Sequence, residues 1–306
     1  MVGTAGSALT TILDDDVERL LRAEPAVRRD APDSVHAMRV STRRLRSVLR
    51  SYRRLLEPGH VREIRDELRW LAGILGVARD AEVRGERFAA LLEEHRGDPD
   101  TDNPDDPAAA LRRTVSELVE NERATYTAAH AVVLTELDGD RYASLRQALL
   151  DLRSAPPLVA RRADAEASRA FGKVLHADFD QLRSMVERET MMHADPAISE
   201  DERIEHLHEI RKSAKRLRYC SEAAADVLGG PAAELALRAK KLQSVLGDHR
   251  DAIEAMAAIR TAAAHSGTPD TSPFDRLYES EAMAARKALE QYSAAADFVR
   301  QRDKSR

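Results

Sequence analysis

His36-Ala37-Met38-Arg39-Val40-Ser41-Thr42-Arg43-Arg44-Leu45-Arg46 is written a second time as His208-Glu209-Ile210-Arg211-Lys212-Ser213-Ala214-Lys215-Arg216-Leu217-Arg218, 172 residues further on. The His, the first Arg and the closing basic-Arg-Leu-Arg run recur at the same spacing, with Arg43 exchanged for Lys215. A repeat of this length has to be explained before anything else, because it dictates architecture.

At about 100° per residue, with His36 at zero, Arg39, Arg43, Arg46 and Arg50 fall between roughly 280° and 340°. Met38, Leu45, Val48, Leu49 and Tyr52 fall between about 120° and 220° on the same wheel. The segment is therefore an amphipathic helix with an apolar back and a cationic stripe. The second copy has the same map, with His208, Arg211, Lys215 and Arg218 as its stripe and Ile210, Leu217, Ser221 and Ala224 behind it. Glu222 stands where the first copy has Arg50, so the two stripes differ in charge.

Neither stripe carries acidic relief. Ser34 to Leu56 holds seven Arg and no acid, and Ile210 to Ser221 holds five basic residues, Lys212 among them, and no acid. Like charges one turn apart destabilise a helix by about 0.2–0.5 kcal/mol per pair. A merely solvated helix intersperses acids, as Arg62-Glu63-Ile64-Arg65-Asp66-Glu67 does. Two matched stripes without acids point to a bound polyanion, since guanidinium groups make bidentate, charge-assisted bonds to phosphate.

The duplication extends further. Leu68 to Gly76 precedes Val77-Ala78-Arg79-Asp80, and Ala239 to Gly247 precedes Asp248-His249-Arg250-Asp251. Gly76 and Gly247 read as helix C-caps, and Asp80 and Asp251 as first-turn acids of new helices. The spacing predicts helices over 8–23, 34–56, 60–76, 79–96, 108–137, 140–154, 163–192, 200–228, 231–247, 249–265 and 274–300, and no strands. Pro32-Asp33-Ser34 offers an N-cap for the first cationic helix. The halves are 8–155 and 160–300, with an acidic flexible linker over 97–107.

The 306-residue chain is 43% hydrophobic, 33% charged and only 4% aromatic, which fits a soluble helical protein. Its single cysteine, Cys220, allows no intrachain disulfide and fits a reducing, cytoplasmic setting. The N-terminus has no signal-peptide pattern, and no apolar run approaches the ~20 residues of a membrane span. The net charge of −5 argues against a general nucleic-acid binder. The absence of a Gly-rich phosphate loop and of interleaved aromatics disfavours nucleotides and single strands. His206 and His208 diverge by about 160° on a helix, and His208-Glu209 lacks the second His of a zinc helix, so no metal site is expected. No Arg-His-Gly loop for a phosphohistidine enzyme is present, and no carboxylate cluster suggests a metal-bound water.

The chain resembles the CHAD family, the conserved histidine α-helical domain. His36 to Arg46 matches its first block, and Leu75 to Asp80 with Glu82-Val83 its Leu-Gly-x-x-Arg-Asp block. His208 through Tyr219 to Glu222 matches the third block, and Lys240, Leu242, Gln243, Leu246 and Gly247 the fourth. Asp248-His249-Arg250 departs from the polar turn usual there. The resemblance covers about residues 8–300 as a single domain. It implies an all-α fold of two helical bundles, pseudo-two-fold symmetric, with a basic central groove or pore. It implies binding of inorganic polyphosphate without catalysis or cofactor, and recruitment to polyphosphate granules. The site residues it implies are His36, Arg39, Arg43, Arg44, Arg46, His208, Arg211, Lys215, Arg216 and Arg218, with Arg69, Arg79, Lys240 and Arg250 beside them, and the two cationic helices add Arg50 and Lys212. A scaffold docking an acidic protein partner is the alternative from a different class. A metal-dependent polyphosphate hydrolase is a third.

Overall fold

A computed structural model describes residues 3–94, 107–268 and 270–300. The acidic linker expected over 97–107 lies, apart from Pro107, outside the described residues. The chain is all-α. Its helices are α1 (Ala5–Arg28), α2 (Ser34–Ser51), α3 (Pro58–Glu94), α4 (Pro107–Asp138), α5 (Asp140–Ser154) and α6 (Ala160–Ala163), then α7 (Ala167–Ala194), α8 (Glu200–Leu228), α9 (Gly230–His265), α10 (Ser272–Glu290) and α11 (Tyr292–Arg300). Among the described residues β-structure is confined to two isolated bridges, Thr4 with Glu166 and Leu56 with Leu158. No helix is long and apolar enough to cross a membrane, among those described.

The expected breaks at Gly76 and Gly247 are absent. α3 runs through the first and α9 through the second as uninterrupted helix. Positive φ occurs, among the described glycines, at Gly229 and Gly267. Glycine inside a helix costs about 0.5–1 kcal/mol relative to Ala. Burial on both sides of each glycine offsets that: Leu68, Leu71, Leu75, Ala78 and Ala81 are buried around Gly76, and Leu242, Val245, Leu246, Ala252 and Ala255 around Gly247. Asp80 and Asp251 are consequently mid-helix residues and do not face a helix N-terminus.

Other ends are set by local bonds. α2 stops at Ser51 and passes into a 3-10 turn over Arg53–Leu55. The chain is then pinned to the α5–α6 connection, where Glu57 N–H donates to the Pro157 carbonyl at 2.8 Å and Val159 N–H to the Leu55 carbonyl at 2.9 Å. Asp33 occupies the cap of α2, but in the left-handed region (φ 57°) and without a side-chain bond. α8 opens on a full capping box, with the Ser199 hydroxyl accepting from Glu202 N–H and the Glu202 carboxylate accepting from Ser199 N–H. The expected 274–300 helix is interrupted at Gln291, and 163–192 is preceded by the single turn α6.

Two compact units result: Met1–Gly73 with Leu134–Leu246 and Tyr292–Arg306, and Ile74–Val133 with Gly247–Gln291. Each unit draws on both halves of the sequence. In the first, α1 packs on α2, α7 on α8, and α2 on α8. Leu9, Leu13, Val17 and Leu20 of α1 recur at helical spacing and are fully buried. The α1–α6 approach requires glycine at position 6, where a Cβ would meet the Ala163 Cβ at 2.8 Å. The second unit packs Phe88 and Leu91 of α3, Leu111, Val115 and Leu118 of α4, Ala255 and Ile259 of α9, and Phe274 and Leu277 of α10 into one core. Its rim holds two strong pairs, Arg84 bidentate to Glu122 at 2.7 and 2.9 Å, and Arg87 to the buried Glu281 at 2.7 Å.

Candidate functional site

The two cationic helices α2 and α8 pack against each other in the first unit. Their contact is made by the basic motif itself. Arg43 donates from Nε and Nη2 to the Tyr219 hydroxyl, both at 3.3 Å. The Arg218 guanidinium carbon lies 5.2 Å from the Tyr219 ring centroid, and that of Arg43 6.0 Å, so the buried ring is approached by cations from both copies. Tyr52 donates to the Cys220 carbonyl at 3.3 Å. Glu222 is shared: Oε2 accepts from Arg44 Nη1 at 2.6 Å and Oε1 from Arg218 Nε at 2.7 Å. Arg218 also donates to Gln243 Oε1 at 3.2 Å.

Arg44 and its counterpart Arg216 are each held by an acid, buried in the first case and partly buried in the second. Arg44 Nε donates to Asp16 Oδ1 at 2.6 Å, with side chains 14% and 1% exposed. Arg216 sits 3.0 Å from Asp178 Oδ1, with side chains 8% and 14% exposed, and also donates to Gln181 at 2.6 Å. Asp16 and Asp178 occupy equivalent places, since Leu9, Leu13 and Leu20 of α1 correspond at the same offset to Phe171, Leu175 and Leu182 of α7. The duplication thus includes α1 and α7, and each cationic helix is clamped to its partner by an Asp–Arg pair. Burial pushes the Asp16 carboxyl up from its ordinary value, against the pull of Arg44. These acids were missed in the sequence. Asp16 ends an Asp14-Asp15-Asp16 run that reads as a solvated face, and only the shared register with Asp178 could have singled it out.

The rest of the first stripe lies nearer the surface. His36 and Arg50 are exposed, and Arg39 and Arg46 partly so. Burial, then Arg69, Arg65 and Arg50, push Arg46 below its ordinary value. Burial, then Arg216 and Arg65, do the same to Arg50. Arg65 of α3 is lowered too, by burial and by Arg53 and Arg69, against the pull of Asp66. A like-charged cluster is therefore assembled by α2, the 3-10 turn and the start of α3. Arg65 was missed in the sequence, masked by the acids beside it.

The remaining predicted residues distribute as follows. On α8, His208, Arg211 and Lys215 are partly buried, and exposed Lys212 pairs with Glu209. Arg69 is exposed and pairs with Asp66 at 3.1 Å, and Lys240 is exposed on α9. Arg79 and Arg250 belong to the second unit, where each pairs with an acid one turn on, Glu82 at 2.7 Å and Glu254 at 2.6 Å.

The chain is similar to known proteins in sequence and in fold. The CHAD domain family model matches residues 11–260. Two curated proteins of Mycobacterium tuberculosis, the uncharacterized proteins MT2285 (strain CDC 1551 / Oshkosh) and Rv2226 (strain ATCC 25618 / H37Rv), are each 34% identical over 286 residues. Those matches take in 92% of this chain and 51% of each relative, so the chain spans about half their length. Among solved structures, PptA from Streptomyces chartreusis superposes with a TM-score of 0.76 at 23% identity, covering 96% of this chain and 100% of that one. The CHAD domain from the plant Ricinus communis superposes with a TM-score of 0.62 at 23% identity, covering 98% and 93%. With the repeated motifs, the all-helical architecture and a family match over most of its length, the chain belongs to the CHAD domain family.

Proposed function

We propose that this chain binds inorganic polyphosphate without catalysing its cleavage, in a basic groove formed by the stripes of α2 and α8. The observation that carries the reading is the Arg46–Arg50–Arg65 cluster. Arg46 and Arg65 are partly buried and Arg50 is exposed, and neighbouring guanidinium groups add to burial in holding all three below their ordinary value, an arrangement that an anion relieves. A chain of phosphates matches a row of cations better than one phosphate does, because its charges repeat along a flexible line. His36, Arg39, Arg43, Arg46, Arg50, His208, Arg211, Lys215 and Arg218 are the contact residues in this reading. Arg44 and Arg216 act through position, fixing each stripe to its neighbouring helix. Family membership supports the same ligand and, with it, a cytoplasmic protein recruited to polyphosphate granules.

Long-chain polyphosphate titrated into the purified chain at several salt concentrations tests the reading. The expected outcome is tight binding that weakens by about 10³-fold or more between 50 and 200 mM salt, as for ligands that neutralise six or more cations. Duplex DNA should bind far more weakly, and no orthophosphate should appear with or without added metal ions. Salt-insensitive binding, or equal affinity for DNA, would remove the support for the groove. Orthophosphate release would show the chain to be a hydrolase.

A further inference from the structure

A cleft of about 1530 Å³ opens in the first unit between the end of α2, α6 and α7. It is larger than the ~300–1,000 Å³ usual for small-molecule sites. Arg53, Arg54, Arg161, Arg162, Arg169 and Lys173 line it, and all six are exposed. Its acids are Glu57 and Asp178, and Asp178 is already paired with Arg216.

No ion pair engages these six cations among the described residues. Arg53 donates to the Arg50 carbonyl at 3.0 Å and Arg162 to the Arg54 carbonyl at 2.8 Å, bonds that fix direction and leave the charge uncompensated. Exposed cations elsewhere do both: no ion pair engages Arg62, Arg146 or Lys241 among the described residues, whereas others are paired. Arg22 pairs with Glu18 and Arg238 with Glu234, each one turn away on the same helix. The chain carries 53 acids against 48 Lys and Arg, so a cleft with six unrelieved cations is a local concentration that average composition would not produce. The α2 stripe runs into this cleft, because Arg50 and Arg65 line it and also belong to the cluster around Arg46.

We propose that this cleft is a second anion seat, continuous with the α2 stripe through Arg50 and Arg65, which takes further phosphate units of the same polyphosphate chain. The proposal rests on the polyphosphate reading of the stripes and adds Arg53, Arg54, Arg161, Arg162, Arg169 and Lys173 to the residues that hold the ligand. Forked guanidinium donors suit phosphate oxygens. The aromatic residue of the lining, Tyr52, is fully buried, so there is no exposed ring on which a nucleobase could stack.

The test is a triple variant, Arg161→Glu with Arg169→Glu and Lys173→Glu. The three side chains are exposed and outside every ion pair described, so far-UV circular dichroism and the melting temperature should match those of the wild type. Its affinity for long-chain polyphosphate should fall by about tenfold or more, and its log–log salt slope should flatten by about two, at roughly 0.7 per lost phosphate contact. A triple Gln variant should fall between the two. Wild-type affinity and slope in the triple Glu variant, alongside lost binding in Arg43→Glu with Lys215→Glu, would overturn the cleft and leave the groove standing. A wild-type chain that binds no long-chain polyphosphate overturns both.

Discussion

Arg44 and Arg216 show how one residue type in one motif divides into two roles. The sequence places them among the cations of the repeat, and the fold removes them to pairs with the buried Asp16 and the partly buried Asp178. Breaking a buried pair by deleting one partner costs about 3–5 kcal/mol, since the remaining charge is stranded in a poor dielectric. Asp178→Ala should therefore lower stability by about 3 kcal/mol in a denaturant titration. Asp178→Asn, which keeps an acceptor for Arg216, should lose less. Polyphosphate affinity should not fall in either variant, because the change removes a negative charge from the cleft wall. A fall in affinity with stability unchanged would give Asp178 a role in the ligand site. The stripes themselves were legible, because spacing and the absence of acids are properties of the string. The clamps were not, because the burial of Asp16 depends on which helix lies across from it.

At the scale of the element, α3 and α9 were each expected as two helices and are each one. A Leu-Gly pair reads as a C-cap when only neighbours are visible, yet a glycine ends a helix by taking positive φ, and neither Gly76 nor Gly247 does. The apolar positions on both sides of each glycine carry the helix onward. The distinction between a helical glycine and a capping one has measurable consequences of opposite sign. Gly73 is exposed inside α3, and an added Cβ would meet nothing within 4 Å, so Gly73→Ala should stabilise by about 0.5–1 kcal/mol. Gly229 closes α8 at φ 70° and ψ −148°, a region close to glycine-only, so Gly229→Ala should destabilise by about 1 kcal/mol or more. Thermal melts of the two variants check both signs, and a stabilised Gly229→Ala would contradict the cap geometry. Where the turn chemistry was unambiguous, as at Asp138-Gly139-Asp140 and Gly229-Gly230-Pro231, the helix ends were legible in the sequence.

At the scale of the molecule, the duplication is visible in the string, but the way it folds is not. The halves of the sequence do not become separate units; each compact unit is assembled from helices of both. That is why the two cationic helices, 172 residues apart, touch directly through Arg43 and Tyr219 and through Arg44 and Glu222. The helical class, the family and most of the cationic stripe were legible from periodicity and motif order. The cleft was not, because its six cations come from the 3-10 turn after α2, from α6 and from α7, segments far apart in the string and outside the two basic motifs. The central claim is that the two stripes act together on one polyanion. Isothermal titration of long-chain polyphosphate into the wild type and into Arg43→Glu with Lys215→Glu tests it most directly, with far-UV circular dichroism confirming equal helicity. The account predicts that the double variant keeps its helices and loses about 100-fold or more in affinity, beyond the loss of either single variant. A double variant that binds the long chain as tightly as the wild type would contradict it.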